Sequence, residues 1–227
     1  MTTNYTPRFV DRPLHTRTVV NRAVDWIAGE FPSAKAAMDY RMVRYDGLLS
    51  RDFILNLEDD PSVVSYWEKP NAFRWSNGVR WRKYTPDYAV DLDDGRTICV
   101  EVMPLSRVAK SRFLDRLPFN RRFAIRTGYA DFELWTEQEV TIQPKLANAE
   151  LVGSERSFVT DEAQTHRMRV LVRERDGRAS IRDLRRESGL GRQSFRAIIR
   201  LIANGELRAV NPNVPLDDNA VVEIPNC

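Results

Sequence analysis

Two apolar segments joined by a tight-turn signal constrain the fold of this chain more than any other feature. Residues 85–92 (TPDYAVDL) and 97–103 (TICVEVM) flank Asp93-Asp94-Gly95-Arg96. An Asp-Gly pair between two such segments is typical of a β-hairpin. The sequence therefore predicts two adjacent antiparallel strands, the second of which is mostly apolar and carries one acidic residue near its end.

The neighbouring segments favour a mixed α/β (α+β) protein. Over residues 46–58, the large apolar side chains Leu49, Phe53 and Leu57 recur at helical spacing. Ser76-Asn77-Gly78 marks the turn of a second predicted hairpin. A further helix is predicted around residues 18–28.

Composition excludes several classes of protein. None of the apolar segments approaches the roughly 18 residues that cross a bilayer, so we expect no membrane association. Two cysteines, Cys99 and Cys227, cannot form a disulfide framework. His15 and His166 stand in no pattern that suggests a metal site or a catalytic triad. Because the N-terminus shows no secretory signal, we expect a cytoplasmic protein.

The basic residues are concentrated toward the C-terminus. Residues 166–210 contain twelve arginines and five acidic residues, although the formal net charge of the whole chain is only +3. Arginine binds phosphate bidentately and stacks on bases, so this composition suits a nucleic-acid surface. A solvated helical face with ordinary ion pairs remains the alternative.

The same C-terminal region predicts a winged helix. A helix near residue 168 is followed by helices over 180–187 and 193–202 and by strands near 206–210 and 220–224. The third helix would be the recognition helix, whose residue types read base edges or hold phosphates. The candidate DNA-binding residues there are Arg192, Gln193, Ser194, Arg196 and Arg200. The alternative is a winged helix that contacts protein.

Asp87 and Glu101 are the candidate catalytic and metal-binding pair. They lie on the two strands of the first predicted hairpin, so both carboxylates can point to one face of the sheet. Paired carboxylates suit Mg²⁺ or Mn²⁺, and such an ion can activate water against a phosphodiester. The structural alternative is an Asp that starts a strand and a solvated strand Glu.

A second basic segment follows the hairpin. Residues 104–126 are predicted to be helical, with a break or kink at Pro118. With only one acidic residue in the segment, Asp115, its basic face could line a DNA groove; the alternative is a helix exposed to solvent. The candidate DNA-binding residues there are Arg107, Lys110, Arg112, Arg116, Arg121 and Arg122.

Residues 45–150 resemble the N-terminal nuclease domain of the TnsA family, the endonuclease subunits of heteromeric transposases. The ordered segments that carry the resemblance are 47–53 (GLLSRDF), 57–63 (LEDDPSV), 68–70 (EKP), 84–88 (YTPDY), 100–102 (VEV) and 128–137. The resemblance implies a restriction-endonuclease-like PD-(D/E)xK core followed by a C-terminal winged helix. The expected organisation is an N-terminal helical arm (1–44), the nuclease-fold domain (45–150), a linker (151–164) and the winged-helix domain (165–227).

Two positions depart from the family's pattern. The family's helical Glu is Ser50 here, and its Lys is Met103. Ser is a poor metal ligand, and Met cannot steady a developing oxyanion, so losing two charged contributors should leave little activity. Replacement of the missing groups by Asp52 or Glu58, and by Lys83 or Lys110, is the remaining route to an active site, although helical geometry disfavours both carboxylates.

We therefore expect a protein that binds double-stranded DNA with a TnsA-like fold whose active site is degenerate, in a regulatory or architectural role. It would need no cofactor, could form a homodimer and would associate with the nucleoid. The alternative is an active Mg²⁺- or Mn²⁺-dependent endonuclease that works with a transposase partner and holds its metal with Asp87 and Glu101. A third hypothesis is a protein-interaction module.

Overall fold

The computed structural model describes residues 27–76, 81–156 and 162–225. It is a mixed α/β protein with several small sheets, as the hairpin and helix signals predict. Most of the predicted N-terminal arm and the helix expected around 18–28 lie outside the described residues. Within the described residues, none of the helices is both long and apolar enough to span a membrane.

Contacts divide the chain into two units. The first comprises residues up to Arg51 and Pro61–Glu137, and the second comprises Asp52–Asp60 and Gln138 onward. The second unit therefore begins earlier than the winged-helix domain predicted at 165, and part of the predicted linker is helical.

The first unit opens with a hairpin that the sequence did not indicate. Strand β1 (Ala28–Pro32) pairs antiparallel with β2 (Met42–Asp46), and a short 3-10 helix, Ala36–Met38, lies between them. Helix α1 (Leu48–Asp59) follows at once, close to the bounds that its apolar spacing predicts.

A four-stranded sheet forms the centre of the first unit. The remaining strands of this unit are β3 (Val63–Glu68), β4 (Phe73–Ser76), β5 (Trp81–Tyr84), β6 (Tyr88–Leu92), β7 (Thr97–Val102) and β8 (Asp131–Trp135). The sheet order is β3-β6-β7-β8, and β4 and β5 pair as a separate hairpin. The antiparallel pairing of β6 with β7 confirms the hairpin predicted from the Asp-Gly turn.

The pairing of β7 with β8 is parallel. A parallel pair needs a long crossover connection, which α2 (Leu105–Ser111) and α3 (Phe113–Arg126) provide. The break between these helices falls at Arg112, whose φ is +50°, and not at the predicted Pro118. Pro118 lies on the exposed side of α3, where water can replace the helix bond that its missing N–H would have made.

The second unit is helical with a small sheet. Its elements after the short helix α4 (Glu137–Val140) are α5 (Lys145–Glu155), α6 (Glu162–Arg173), β9 (Arg178–Ser180), α7 (Ile181–Ser188), α8 (Gln193–Ala203), β10 (Arg208–Ala209) and β11 (Val221–Glu223). The strands form an antiparallel sheet in the order β10-β11-β9. Three helices followed by two strands is the predicted order, and β9 is an additional strand between α6 and α7.

Helix α5 belongs to the core of the second unit. Val152 packs into the apolar cluster that includes Met168, Ile198 and Val222. The linker predicted at 151–164 is thus wrong for Leu151–Glu155, because this turn of helix has buried apolar contacts to make. Residues 157–161 lie outside the described residues.

Candidate functional site

Asp87 lies immediately before β6, and both of its carboxylate oxygens are bonded within the chain. Oδ1 accepts a charged hydrogen bond from Lys69 Nζ, and Oδ2 accepts one from the backbone N–H of Val102 at 3.0 Å. The Val102 bond crosses from β7, so it fixes the carboxylate at the β6–β7 edge where the sequence places it. The Asp87 carboxylate therefore already has a cation and an N–H donor.

Glu101, on β7, is 9% exposed. Its Oε2 atom has no hydrogen-bond partner within the described part of the chain. Burial and the nearby charge of Asp87 raise the pKa of the Glu101 carboxyl to about 8, against the opposing effects of Tyr84, Lys69 and Arg107. Glu101 thus holds its proton at neutral pH in the folded protein.

Tyr84 is a partly buried neighbour of Glu101. Desolvation and the Glu101 charge raise the pKa of the Tyr84 phenol far above its usual value, so the hydroxyl stays neutral. It lies near enough to favour the charged form of Glu101, although its Oη atom makes no hydrogen bond of good geometry within the described residues. The interior face of the site consequently has two polar groups, the Tyr84 hydroxyl and Glu101 Oε2, whose hydrogen bonding is incomplete.

Lys69 is a site residue that the sequence analysis missed. The register of β3 against β6 pairs Glu68 with Tyr88, which places Lys69 opposite Asp87. The backbone N–H of Lys69 donates to the Asp87 carbonyl at 2.7 Å, so backbone and side chain both bond to the same residue. Its φ of +48° is a left-handed conformation that costs a non-glycine residue about 1 kcal/mol.

Asp46 is a second residue near Asp87 that the sequence patterns did not indicate, and it is acidic. It ends β2 just before Gly47, whose φ of +98° turns the chain into α1. Burial raises the pKa of the Asp46 carboxyl, with Lys69 lowering it and Asp87 raising it further. Asp46 therefore interacts electrostatically with Lys69 and Asp87.

Ser50 and Met103 supply no charge to this cluster. The Ser50 hydroxyl donates to the Asp46 carbonyl at 3.3 Å. Met103 is 5% exposed and packs in an apolar cluster with Phe113 and Phe132. Ser50 therefore makes a neutral hydrogen bond and Met103 packs in the apolar core, as expected of these side chains.

None of the four residues that could replace the missing carboxylate and lysine has a contact with Asp87 or Glu101 among the described interactions. Asp52 and Glu58 belong to the second unit, where the Glu58 carboxylate is buried and ion-paired with Arg156 at 2.8 Å. Lys83 and Lys110 are exposed. The lysine whose ammonium reaches Asp87 is instead Lys69.

The carboxylates as arranged do not fit a divalent metal. Across residues 27–76, 81–156 and 162–225, no group of three or more His, Cys, Asp or Glu side chains is placed to hold an ion. Lys69 holds one oxygen of Asp87, and Glu101 is protonated at neutral pH. Asp87 and Glu101, the predicted metal ligands, are thus adjacent but not arranged as a metal site.

The basic residues of α2 and α3 differ in whether they have a partner within the chain. Arg112 pairs with Asp115 at 2.8 Å, Arg121 pairs with Asp131 at 2.6 Å, and Arg116 stacks on a phenylalanine ring. The other three predicted DNA-binding residues are Arg107, Lys110 and Arg122. They form no ion pair with any residue that the structure describes. All six side chains are on the surface.

The predicted recognition helix α8 exposes fewer of the predicted DNA-binding side chains than its sequence suggests. Arg192 and Gln193 are exposed at its start. Ser194 is fully buried and its hydroxyl donates to the Gly191 carbonyl at 2.6 Å, so its assignment to DNA contact is wrong. A serine at the first turn of a helix commonly bonds its own backbone, and this explains the correction.

Arg196 and Arg200 share one acidic partner. Arg196 Nε lies 2.8 Å from Glu155 Oε1, and Arg200 Nε lies 3.3 Å from Glu155 Oε2. Arg196 remains 56% exposed, whereas Arg200 is 17% exposed. Of the pair, Arg196 is the residue that a ligand at the surface could reach.

No protein-family model matches the chain, and no curated protein matches it closely enough to count as a relative.

Proposed function

We propose that this protein binds duplex DNA through exposed arginines and that its nuclease-like site does not cleave DNA. The finer fold assignment is part of the proposal: a restriction-endonuclease-like core in the first unit and a winged helix in the second. Three antiparallel strands, two helices and a parallel strand support the first part. Three helices with a small antiparallel sheet support the second.

The exposed basic surface of α2 and α3 is the observation that carries DNA binding. Seven basic side chains face a single acidic residue in this segment, and all of the predicted contacts lie on the surface. Lysine and arginine gain affinity for DNA by releasing counterions from its phosphates, and this needs accessible charge more than a particular geometry. Arg107, Lys110 and Arg122 meet that requirement most simply.

The absence of cleavage rests on the cluster around Asp87. Its carboxylate is bonded to Lys69 and Val102, Glu101 is protonated at neutral pH, and Met103 is buried among apolar groups. Such a cluster supplies neither ionised paired carboxylates for a metal nor an ammonium directed at a phosphate.

Fluorescence anisotropy with a labelled duplex over a series of salt concentrations tests DNA binding. We expect log K to fall linearly with log salt, and Arg122→Ala to weaken binding and reduce the magnitude of that slope by about 1. Arg208→Ala is the matched control, because this arginine already pairs with Glu223 at 2.7 Å and should change the slope less. Absence of salt-dependent binding to the duplex would favour the protein-interaction module instead.

A metal-dependent endonuclease that works with a transposase is the second candidate. The observation that favours it is that Asp46 and Lys69 bring a third carboxylate and an ammonium to the cluster. Nicking of DNA in the presence of Mg²⁺ or Mn²⁺ that Asp87→Ala abolishes would establish this candidate. Homodimer formation and association with the nucleoid stay predictions.

A further inference from the structure

We propose that a cavity in the second unit binds a free amino acid with a large apolar or aromatic side chain. The cavity has a volume of about 590 Å³, which falls within the range of roughly 300–1,000 Å³ that small-molecule sites occupy. Its lining residues come from α7, from the start of α8 and from the loop that precedes β11. The inference goes beyond the proposed function, and its test does not involve DNA.

The loop side of the cavity is held by hydrogen bonds to two helices. Leu216 is 7% exposed, and its backbone N–H donates to Asn148 Oδ1 of α5 at 2.9 Å. Asn219 Oδ1 accepts from Arg182 Nη2 of α7 at 2.6 Å, and the Arg182 backbone N–H donates to the Asp218 carbonyl at 3.0 Å. These bonds form the cavity before a ligand arrives, and this lowers the entropic cost of binding.

Phe195 and Leu216 supply the apolar part of the lining. Leu216 belongs to the apolar core of the unit, and the partly buried Phe195 packs against that core. The Arg185 guanidinium lies over the Phe195 ring, 5.6 Å from its centroid. An apolar group of a ligand would gain free energy by leaving water for contact with these side chains.

The charged side chains of the lining determine which ligand the cavity suits. Arg185 and Asp218 form an ion pair with each other, so their charges are compensated. Arg192 and Asp217 are exposed, and neither has an ion pair with any residue that the structure describes. The Asp217 carboxylate accepts the backbone N–H of Asn219 at 2.8 Å, which leaves its negative charge uncompensated. The cavity thus retains one positive and one negative charge.

These two charges match the two charges of a free amino acid. The carboxylate of the ligand would bind the Arg192 guanidinium, which can hold a carboxylate through two parallel hydrogen bonds. The ammonium of the ligand would bind the Asp217 carboxylate. A phosphate or another simple anion would be repelled by Asp217, and a simple cation would be repelled by Arg192. A zwitterion with an apolar side chain satisfies both charges and the Phe195 ring.

Isothermal titration calorimetry of the full chain with L-phenylalanine tests the inference. We expect saturable one-to-one binding. L-phenylalaninamide lacks the carboxylate, and 3-phenylpropionate lacks the ammonium. Each should bind at least about tenfold more weakly than L-phenylalanine, because each leaves one charge of the cavity without its partner.

Two variants test the residues that would hold the ligand. Arg192→Gln and Asp217→Asn each remove one charge, and each should weaken L-phenylalanine binding by about tenfold or more. The new amide in Asp217→Asn keeps an oxygen that can accept the Asn219 N–H. Arg178→Gln is the matched control, because Arg178 is an exposed arginine of β9 that does not line the cavity. It should bind as the wild type does, and circular dichroism checks that each variant is folded.

Any one of three results would overturn the inference. The first is that the wild type shows no saturable binding of L-phenylalanine, L-leucine or L-tryptophan at concentrations up to about 10 mM. The second is that the amide or 3-phenylpropionate binds as tightly as L-phenylalanine. The third is that folded Arg192→Gln and Asp217→Asn proteins bind L-phenylalanine with the affinity of the wild type. None of these results bears on DNA binding by the wild type, so the two proposals fail separately.

Discussion

At the scale of single residues, burial decides what the acidic cluster can do. Sequence reasoning places Asp87 and Glu101 on adjacent antiparallel strands, and the pairing of β6 with β7 agrees. It does not find Asp46 and Lys69, because their positions depend on how β2 and β3 meet the sheet, and no local spacing encodes that. A charged residue directly after a strand that pairs with the Asp87 strand was the available signal for Lys69.

The raised pKa of Glu101 predicts a particular dependence of stability on pH. Between pH 4.5 and about 8 the folded protein keeps this proton, whereas the unfolded chain releases it. The contribution of Glu101 to the free energy of unfolding is therefore complete below pH 4.5. It falls as pH rises, by up to ~1.4 kcal/mol per pH unit, until the folded carboxyl ionises.

Glu101→Gln supplies the test, because the amide cannot ionise. Urea unfolding at a series of pH values should show the decline between pH 4.5 and 8 in the wild type and a flatter profile in the variant. Tyr84, Asp87, Lys69 and Arg107 face Glu101 in both proteins, so their effects largely cancel. Identical profiles would show that Glu101 is ionised in the folded protein.

Met103→Lys tests whether position 103 can accommodate a charged side chain. Met103 is 5% exposed among apolar side chains that include Phe113 and Phe132. A lysine there would bury an ammonium, and we expect the free energy of unfolding to fall by about 3 kcal/mol or more. Met103→Leu keeps the volume and should cost under about 1.5 kcal/mol. Equal stability of the two variants would contradict the buried placement.

At the scale of elements, the sequence predicts those that local turns and apolar spacing define. It does not predict those that depend on packing against distant segments. The Asp-Gly turn predicted the β6–β7 hairpin, and the apolar spacing over 46–58 predicted α1. The β1–β2 hairpin and β9 carry no comparable turn or alternation signal. The linker predicted at 151–164 overlaps the last turn of α5, where Gly153 favours a loop when read locally.

Asn148 shows what holds α5 in the second unit. Its Nδ2 atom donates to the carbonyls of Pro212, at 3.3 Å, and Val214, at 2.8 Å. Its Oδ1 atom accepts from the N–H of Leu216 at 2.9 Å. One buried amide thus satisfies three backbone groups of a loop far along the chain.

Asn148→Ala would leave those backbone groups without partners. We expect a loss of about 2–3 kcal/mol in the free energy of unfolding of the second unit, measured by urea unfolding followed by circular dichroism. Ser154→Ala on the same helix is the control, since its exposed hydroxyl bonds only the nearby Leu151 carbonyl, and it should change stability by less than about 0.5 kcal/mol. A similar effect of both substitutions would argue against a stabilising role for the three Asn148 hydrogen bonds.

At the scale of the whole molecule, each unit carries its own basic surface, and each contains an acidic group that limits it. In the first unit, Asp115 pairs with Arg112 and Asp131 pairs with Arg121; in the second, Glu155 pairs with Arg196 and Arg200. The excess of arginine can be read from the sequence, but the pairing of Arg196 with Glu155 cannot, because that partner lies 41 residues away along the chain. The basic surface without an acidic partner is therefore smaller than the charge count suggests.

The most direct test of the central claim is a supercoiled plasmid incubated with the protein and Mn²⁺ and run on an agarose gel before and after the protein is removed. Binding without cleavage predicts retarded plasmid before removal and intact supercoiled plasmid afterwards, for the wild type and for Asp87→Ala alike. Plasmid that the wild type converts to nicked circles and Asp87→Ala leaves supercoiled would contradict the account.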